Sequence, residues 1–298
     1  MDSTDGARSS VLITNGNALA MISLAPWMDQ FGHTIRKVYL TTRLPGSKSN
    51  VRGGLQMLRH SGWAYTYFKV WANRVLPWRL RQQGLPGSVP DYLQMRGLDV
   101  DVEEVTSVNT RRVVEEARSL EADYLVSNSA TQRFRAPLIS TPRIGAVNMH
   151  CSPLPAYAGL SPYFWQLFHG EPTFTVTLHQ IVETLDAGPI IDQASGPLTG
   201  VRTALEAFLR MVIAEGPLFV RLFRGESDIQ QARSQDLTTR SYFAHPTRRD
   251  MRTFRRQGLR MMDRVSRRAV IEHVRHIVER PAVPVEKPHT VRTTRKDD

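Results

Sequence analysis

The chain has 298 residues, of which 41% are hydrophobic and 22% charged, ordinary values for a globular protein with room for a catalytic domain and an appendage. Its single cysteine excludes an internal disulfide framework, and no apolar run approaches the roughly 20 residues that span a bilayer. The polar segment Met1–Ser10 does not resemble a secretory signal, so we expect a cytoplasmic enzyme.

The first elements predict a sheet with parallel strands. A short apolar run at Val11–Ile13 enters the loop Asn15-Gly16-Asn17, a helical pattern continues through Phe31, and a second strand covers Ile35–Leu40. Sheets of this kind bind ligands beyond the carboxyl ends of their strands. The loop could therefore meet an anion with its backbone N–H groups, or it could be only a tight turn. It lacks the G-x-G-x-x-G spacing, which disfavours a dinucleotide site.

Residues 52–83 are unusually aromatic and basic. Trp63, Tyr67, Trp71 and Val75 recur every four residues, which predicts one stripe along a helix. One interpretation is a helix that lies at a membrane interface or that forms one wall of a substrate pocket. The interpretation we favour is a long helix that packs on the sheet, with its excess aromatic side chains meeting a second subunit in a homodimer.

The middle of the chain continues the alternation of strands and helices. We predict strands at Leu98–Val102, Tyr124–Ser127, Gly145–Met149, Thr175–Gln180 and Ile190–Gln193, and helices at 107–120, Pro162–Phe168 and Val201–Arg224. The pattern indicates an α/β fold with a doubly wound, mostly parallel sheet.

The amino-acid composition changes after Gly225 and becomes more basic. Residues 240–298 hold 16 Lys and Arg against 7 Asp and Glu, and so account for most of the formal net charge of +11. Two basic helices are predicted at Arg248–Met262 and Val265–Glu279, followed by a proline-rich tail. We therefore divide the chain into a catalytic domain (9–224), a basic helical extension (225–280) and a disordered tail (281–298). The extension could face an anionic substrate, tRNA or a membrane surface, although a solvated helical face is favoured.

Three polar side chains near strand ends carry the predicted chemistry. Asn148 and His150 are two apart on one strand and so share a face, and Asp186 begins a turn 38 residues after Asn148. An amide can donate to a developing oxyanion, an imidazole can move a proton, and a carboxylate can orient the imidazole or relay the proton. Each residue alone could be structural, but their order and spacing favour acyl transfer.

The motifs around these residues resemble those of the formyltransferases that use 10-formyltetrahydrofolate. That family includes methionyl-tRNA formyltransferase, glycinamide ribonucleotide transformylase and amino-sugar or natural-product N-formyltransferases. The blocks that carry the resemblance are Asn148-x-His150-x-Ser152-x-Leu154-Pro155-x-Tyr157-x-Gly159-x-x-Pro162, then Thr175-Val176-Thr177-x-His179, then Leu185-Asp186-x-Gly188-x-Ile190-Ile191-x-Gln193.

The resemblance implies a Rossmann-like formyltransferase fold and a role for several residues. The catalytic residues would be Asn148, His150 and Asp186, and the folate co-substrate would contact Ser127, Asn128, Val182, Leu185 and Asp186. The acceptor substrate would contact Asn15, Gly16 and Asn17. Structural roles within the motifs would belong to Ser152, Pro155, His179 and Gly188. No metal is called for, and no residue needs to act as a covalent nucleophile. Cys151 adjoins His150, but neighbouring strand residues point to opposite faces, so we expect a buried structural thiol.

The favoured function is transfer of a formyl group from 10-formyltetrahydrofolate to a primary amine of a small metabolite, such as an amino sugar, an amino acid or a natural-product intermediate. Methionyl-tRNA formylation is the first alternative; tRNA is disfavoured as a partner because residues 225–298 are not predicted to form the C-terminal β-barrel that such enzymes carry. The second alternative is hydrolysis of formyltetrahydrofolate, disfavoured because about ten residues before the first strand leave no room for an N-terminal regulatory domain. Another alternative is a protein of this fold that has lost catalysis and serves as a basic scaffold. Such a protein would not need Asn148, His150 and Asp186.

Overall fold

The apolar runs of the sequence form a seven-stranded sheet in the computed structural model, which describes residues 8–41 and 50–281. The strands in chain order are β1 Ser10–Thr14, β2 Ile35–Leu40, β3 Asp101–Glu104, β4 Tyr124–Asn128, β5 Gly145–His150, β6 Ala158–Gly159, β7 Thr173–Gln180, β8 Ile190–Pro197 and β9 Tyr242–Phe243. The large sheet has the order β3-β2-β1-β4-β5-β7-β8, and β6 pairs with β9 in a separate small sheet. Strands β1 to β5 are parallel, whereas β7 and β8 are antiparallel to their neighbours.

Helices cover both faces of this sheet. They are α1 Ala18–Phe31, α2 Asn50–Ser61, α3 Trp63–Val70, α4 Leu76–Arg81, α5 Val89–Met95, α6 Arg111–Ser119, α7 Ala136–Ile139, α8 Pro162–Phe168, α9 Ala204–Arg224, α10 Arg248–Arg256 and α11 Arg264–Glu279. A π-helical turn, Trp71–Val75, joins α3 to α4. None of the helices within the described ranges is both long enough and apolar enough to cross a bilayer.

Strand alternation divides the buried side chains between two cores. On β1, Leu12 packs into the large core with α1 and α9, while Val11 and Ile13 pack into a smaller core with α6 and α7. Both faces of the central strands are therefore buried, as a parallel sheet requires. The predicted doubly wound, mostly parallel α/β fold is confirmed.

The predicted strand at Leu98–Val102 was displaced from its true position at Asp101–Glu104. The backbone N–H of Leu98 donates to the carbonyl of Leu93 and so closes α5 instead of entering the sheet. The strand itself is polar because it is the edge strand beside β2, and Asp101 and Glu103 both pair with Lys37.

The prediction of a single aromatic stripe was wrong. Trp63 is 71% exposed and Tyr67 37%, whereas Trp71 is 1% exposed. A step of four residues exceeds one helical turn of 3.6 residues, so the side chains drift around the helix, and the π-helical turn begins at Trp71. Trp63 and Tyr67 instead stack on each other at the surface, with ring centroids 5.9 Å apart.

The C-terminal helices pack on the catalytic part of the chain. Phe254 of α10 and Val270 and Val274 of α11 belong to the same hydrophobic core as α1 and α9. The division at residues 224 and 225 stays a prediction. Of the tail predicted for 281–298, everything after Pro281 lies outside the described residues.

Candidate active site

Register places three polar residues side by side across neighbouring strands. Asn148 on β5 is aligned with Ser127 on β4 and with His179 on β7. The Ser127 hydroxyl donates to Asn148 Oδ1 at 2.8 Å, and Asn148 Nδ2 donates to His179 Nε2 at 3.1 Å. His179 Nδ1 in turn donates to the carbonyl oxygen of Gln180 at 2.7 Å.

This chain of hydrogen bonds has one direction, because each group accepts from one neighbour and donates to the next. His179 must be neutral, with its proton on Nδ1, to accept from Asn148. Burial lowers the pKa of His179 to about 4; the Asp186 carboxylate works against this shift and His150 adds to it. The resemblance implies a structural role for His179, which stays a prediction; in the structure its ring accepts from Asn148 Nδ2 and so orients the Asn148 amide.

His150 and Asp186 face each other beside this row. His150 Nδ1 lies 3.8 Å from Asp186 Oδ1, and His150 Nε2 donates to the carbonyl oxygen of Tyr157 at 3.2 Å. In the neutral ring that tautomer turns the Nδ1 lone pair toward the carboxylate, so a hydrogen-bond donor of a ligand can lie between the two groups. The predicted trio of Asn148, His150 and Asp186 thus comes together in one place.

The loop that carries Asp186 is held from two directions. Asp186 is 7% exposed and has a φ of 54°, a left-handed conformation that is uncommon outside glycine. Its Oδ2 accepts from the Gly159 N–H at 2.9 Å. From the C-terminal segment, Gln235 Nε2 donates to the carbonyls of Asp186 at 3.1 Å and Gly188 at 2.6 Å, and Arg240 Nη2 donates to the carbonyl of Leu185 at 2.7 Å.

Gln235 and Arg240 were missed by sequence reasoning. They lie about 50 residues after the loop in a segment without a recognisable motif, and no local pattern connects them to Asp186. Their placement shows that the segment after Gly225 takes part in building the site.

The remaining motif residues shape the loops that follow β5 and β7. The Ser152 hydroxyl donates to the carbonyl of Ala156, and Pro155 follows a cis peptide bond. A Cβ atom at Gly188 would lie 1.9 Å from the carbonyl oxygen of Gln180, so only glycine fits there.

The residues predicted to contact folate differ in their surroundings. Val182 is exposed and Leu185 half-buried, so both can meet a ligand beside Asp186. The side chain of Ser127 is engaged by Asn148, and that of Asn128 lies on the opposite face of the sheet, where it donates to Ser23 Oγ at 2.9 Å. Folate contacts at Ser127 and Asn128 stay predictions that would use backbone groups.

The side chains of Asn15 and Asn17, in the loop predicted to contact substrate, accept hydrogen bonds from backbone N–H groups. Asn17 Oδ1 caps α1 by accepting from the N–H groups of Leu19 and Ala20, and the Asn15 side chain accepts from the N–H of Asn17. Gly16 has a φ of +66° at the turn. These contacts fit the tight-turn interpretation, and the substrate role of Asn15, Gly16 and Asn17 stays a prediction.

A buried polar cluster lies behind the catalytic strand. Cys151 points away from His150 and donates to Glu215 Oε1 at 2.9 Å, while Asn128 Nδ2 lies 3.2 Å from Glu215 Oε2. Burial raises the pKa of Glu215 above its usual value, although hydrogen bonds from Cys151, Ser23 and Asn128 oppose the shift. Burial also raises the pKa of Cys151, and the Glu215 charge adds to this, which disfavours the nucleophilic thiolate; the structural role of the thiol stays a prediction.

Comparison with known proteins agrees with this geometry. The formyl transferase family matches residues 83–221. Over 102 residues the chain is 38% identical to methionyl-tRNA formyltransferase of Listeria innocua, a match that covers 34% of this chain and 33% of the relative. The chain thus matches about a third of the length of such curated relatives.

Two solved structures share the fold at low identity. Glycinamide ribonucleotide transformylase 1 from Symbiobacterium toebii has 17% identity and a TM-score of 0.52, over 79% of this chain and 97% of that one. An N-formyltransferase from Helicobacter canadensis, in complex with folinic acid and dTDP-3-aminofucose, has 19% identity and a TM-score of 0.51, over 80% and 71%. Residues 83–221 thus match the formyl transferase family, and the chain shares the fold of these two solved structures.

Proposed function

We propose that this protein is an N-formyltransferase that moves the formyl group of 10-formyltetrahydrofolate to a primary amine of a small metabolite. The observation that carries the proposal is the oriented Asn148 amide, with His150 and Asp186 beside it. One N–H of the amide is engaged by His179, and within the described part of the chain the other has no acceptor. That second N–H is available to the oxygen of a reacting carbonyl.

The residues divide the work as follows. The formyl group, when bound, supplies an electrophilic carbon to the amine nitrogen; the new C–N bond forms and the bond to folate N10 breaks. Asn148 stabilises the negative charge that develops on the formyl oxygen, a contribution on the order of 3–4 kcal/mol for one such donor. Asp186, with His150, accepts the proton that the amine loses, and that proton can return to N10. The reaction is thereby balanced without a metal or a covalent enzyme intermediate.

The surroundings of Asp186 fit a folate. Val182 presents an exposed apolar side chain next to the polar trio, which suits the flat face of a pterin. The neighbouring Gln235 Oε1 and Arg240 Nε are buried without a hydrogen-bond partner in the described residues, so polar atoms remain for a ligand.

Methionyl-tRNA formylation is the second candidate. It is favoured by the 38% identity to the Listeria innocua enzyme over 102 residues. The helices α10 and α11 are rich in arginine, which suits a polyanion. The third candidate is hydrolysis of formyltetrahydrofolate, which uses a similar set of side chains around water. One experiment distinguishes the three candidates.

The test follows both products of the reaction. Purified protein is incubated with 10-formyltetrahydrofolate and a panel of amines, and formylated amine and tetrahydrofolate are quantified. Formylated small amine supports the proposal; a requirement for charged initiator tRNA supports the second candidate; tetrahydrofolate without any amine supports hydrolysis. We expect Asn148→Ala and Asp186→Ala to fold normally and lose nearly all turnover, and normal rates in either would overturn the assignment of the trio.

A further inference from the structure

Three residues of α3 and the following π-helical turn, Tyr65, Lys69 and Asn73, contact other parts of the chain near the candidate site. The Tyr65 hydroxyl lies 2.6 Å from Ser161 Oγ and 2.8 Å from His245 Nδ1. At the other end, Asn73 Oδ1 accepts from Asn17 Nδ2 at 3.0 Å.

Lys69, which lies between Tyr65 and Asn73 in sequence, has no counter-ion within the described residues. Its Nζ lies 5.5 Å from the ring centroid of Tyr65 and 5.8 Å from that of Tyr163, and it pairs with no carboxylate of residues 8–41 or 50–281. The nearby sequence supplies none either, because no Asp or Glu occurs between Asp29 and Asp91. A half-buried ammonium is normally balanced by an anion.

The groups around Lys69 cannot supply that charge. His245 is neutral at physiological pH, because burial lowers its pKa to about 4, with further lowering by Lys69 and His60. The Tyr163 hydroxyl is buried, its interactions with Tyr65 and Lys69 fall short of full hydrogen-bond geometry, and its ring is held by stacking on Phe208 at 4.4 Å. The surroundings therefore place a positive charge beside two tyrosine hydroxyls.

This cluster lies close to the reacting groups. Ser161, which contacts Tyr65, is two residues after Gly159, whose N–H binds the Asp186 carboxylate. Two residues span at most about 7 Å of backbone. An acceptor that extends from Asp186 along this loop would bring a second group to Lys69.

We propose that Lys69, together with the hydroxyls of Tyr65 and Tyr163, binds an acidic group of the acceptor, so that the substrate is an amine that also carries a carboxylate or a phosphate. This inference rests on the proposed function for the identity of the amine, but the anion site can be tested without turnover. It assigns α3 the role of a pocket wall and explains why a cation lies on its inner side.

The first test measures anion binding directly. Thermal unfolding is followed in inorganic phosphate, in acetate and in chloride at equal ionic strength, for the parent protein, Lys69→Met, Lys69→Arg and the control Arg79→Met, which removes an exposed cation from α4. We expect phosphate or acetate to raise the Tm of the parent and of Arg79→Met, to raise that of Lys69→Arg less, and to leave Lys69→Met unchanged. No anion effect on the parent, or an equal effect on Lys69→Met, would overturn the site.

The second test separates the anion site from the reaction. Matched acceptors such as glycine with glycinamide, and 2-aminoethyl phosphate with ethanolamine, distinguish carboxylate from phosphate. Loss of a hydrogen-bonded charge should raise KM for the preferred anionic amine roughly 10- to 100-fold in Lys69→Met, with kcat and the KM for folate nearly unchanged. Equal use of the charged and neutral amines would contradict the proposal. If anions bind through Lys69 but no amine is formylated, the proposed function fails and the anion site stands.

Discussion

Asn148 Nδ2 lies 3.1 Å from His179 Nε2, and this contact decides which way the Asn148 amide faces. An amide that is free to flip would present its oxygen to the substrate half of the time, and an oxygen repels a developing oxyanion. With His179 accepting on one side and Ser127 donating on the other, only the N–H orientation satisfies both neighbours. In the proposed reaction, the orientation of the Asn148 donor therefore depends on His179 and Ser127, two residues that need not touch the substrate.

Replacing His179 by alanine should lower kcat roughly 10- to 100-fold, because the amide loses its acceptor and its fixed orientation. The KM for 10-formyltetrahydrofolate should change little. Steady-state kinetics of His179→Ala, Asn148→Ala and the double variant provide the measurement. The two losses should be non-additive, since both act through one donor; additive losses would show that His179 acts independently of Asn148.

His179 should also make the fold sensitive to acid. Its pKa is lowered to about 4 from 6.5, mainly by burial, so the unfolded chain binds a proton at a pH where the folded protein does not. This contribution to stability is complete above pH 6.5 and is lost as the pH falls toward 4, on the order of 3 kcal/mol in total. Urea unfolding of the parent and of His179→Gln between these limits checks it. The variant should lose less stability on acidification, and parallel curves would contradict the assignment.

The part of the site that could be predicted lies on β5 and in its flanking motifs. Asn148 and His150 follow from strand alternation, and Asp186 from its turn, because these relations are local in sequence. Gln235 and Arg240 could not be predicted, since they reach the Asp186 loop through tertiary packing alone. The aromatic stripe failed for a related reason: its four-residue spacing does not determine which side of a helix is buried.

Gly188→Ala should impair both folding and catalysis. The added methyl would lie 1.9 Å from the Gln180 carbonyl oxygen, which accepts a hydrogen bond from His179 Nδ1. Because of that hydrogen bond, the strand backbone at Gln180 cannot move away from the methyl without also moving the His179 ring. We expect a loss of roughly 1–3 kcal/mol in the free energy of unfolding and a lower kcat. Gly53→Ala is the control, because its Cβ meets nothing within 4 Å in α2 and alanine favours a helix. Equal stability of the two variants would rule out the close approach at Gly188.

Arg240→Ala should loosen the loop that carries Asp186. The guanidinium donates to the Leu185 carbonyl at 2.7 Å, and without it the loop keeps the hydrogen bonds with Gln235, Gly159 and Ala136. We expect a higher KM for folate, a lower kcat and faster amide hydrogen exchange over residues 182–188, with an unchanged Tm. Arg240→Lys should restore part of the activity, and Arg249→Ala, an exposed arginine of α10, should have no effect. Unchanged exchange in Arg240→Ala would show that the loop is held without it.

Glu215→Gln should stabilise the protein at neutral and alkaline pH. The pKa of Glu215 is raised above 4.5, mainly by burial, so the folded state binds a proton more tightly than the unfolded chain does. Stability then falls as the pH rises from 4.5 through the folded-state pKa, because a buried carboxylate must form. A glutamine lacks that charge: its carbonyl oxygen can accept from Cys151, and its NH₂ can donate to Asn128 Oδ1 once the Asn128 amide turns, an oxygen that has no partner in the described residues. Thermal unfolding from pH 5 to 9 should give a Tm that varies less with pH for Glu215→Gln than for the parent. Glu215→Ala should lower the free energy of unfolding by roughly 1–3 kcal/mol at every pH, because it leaves the polar groups of Cys151 and Asn128 unpaired in a cavity. A parent profile as flat as that of Glu215→Gln would mean that Glu215 does not titrate behind the catalytic strand.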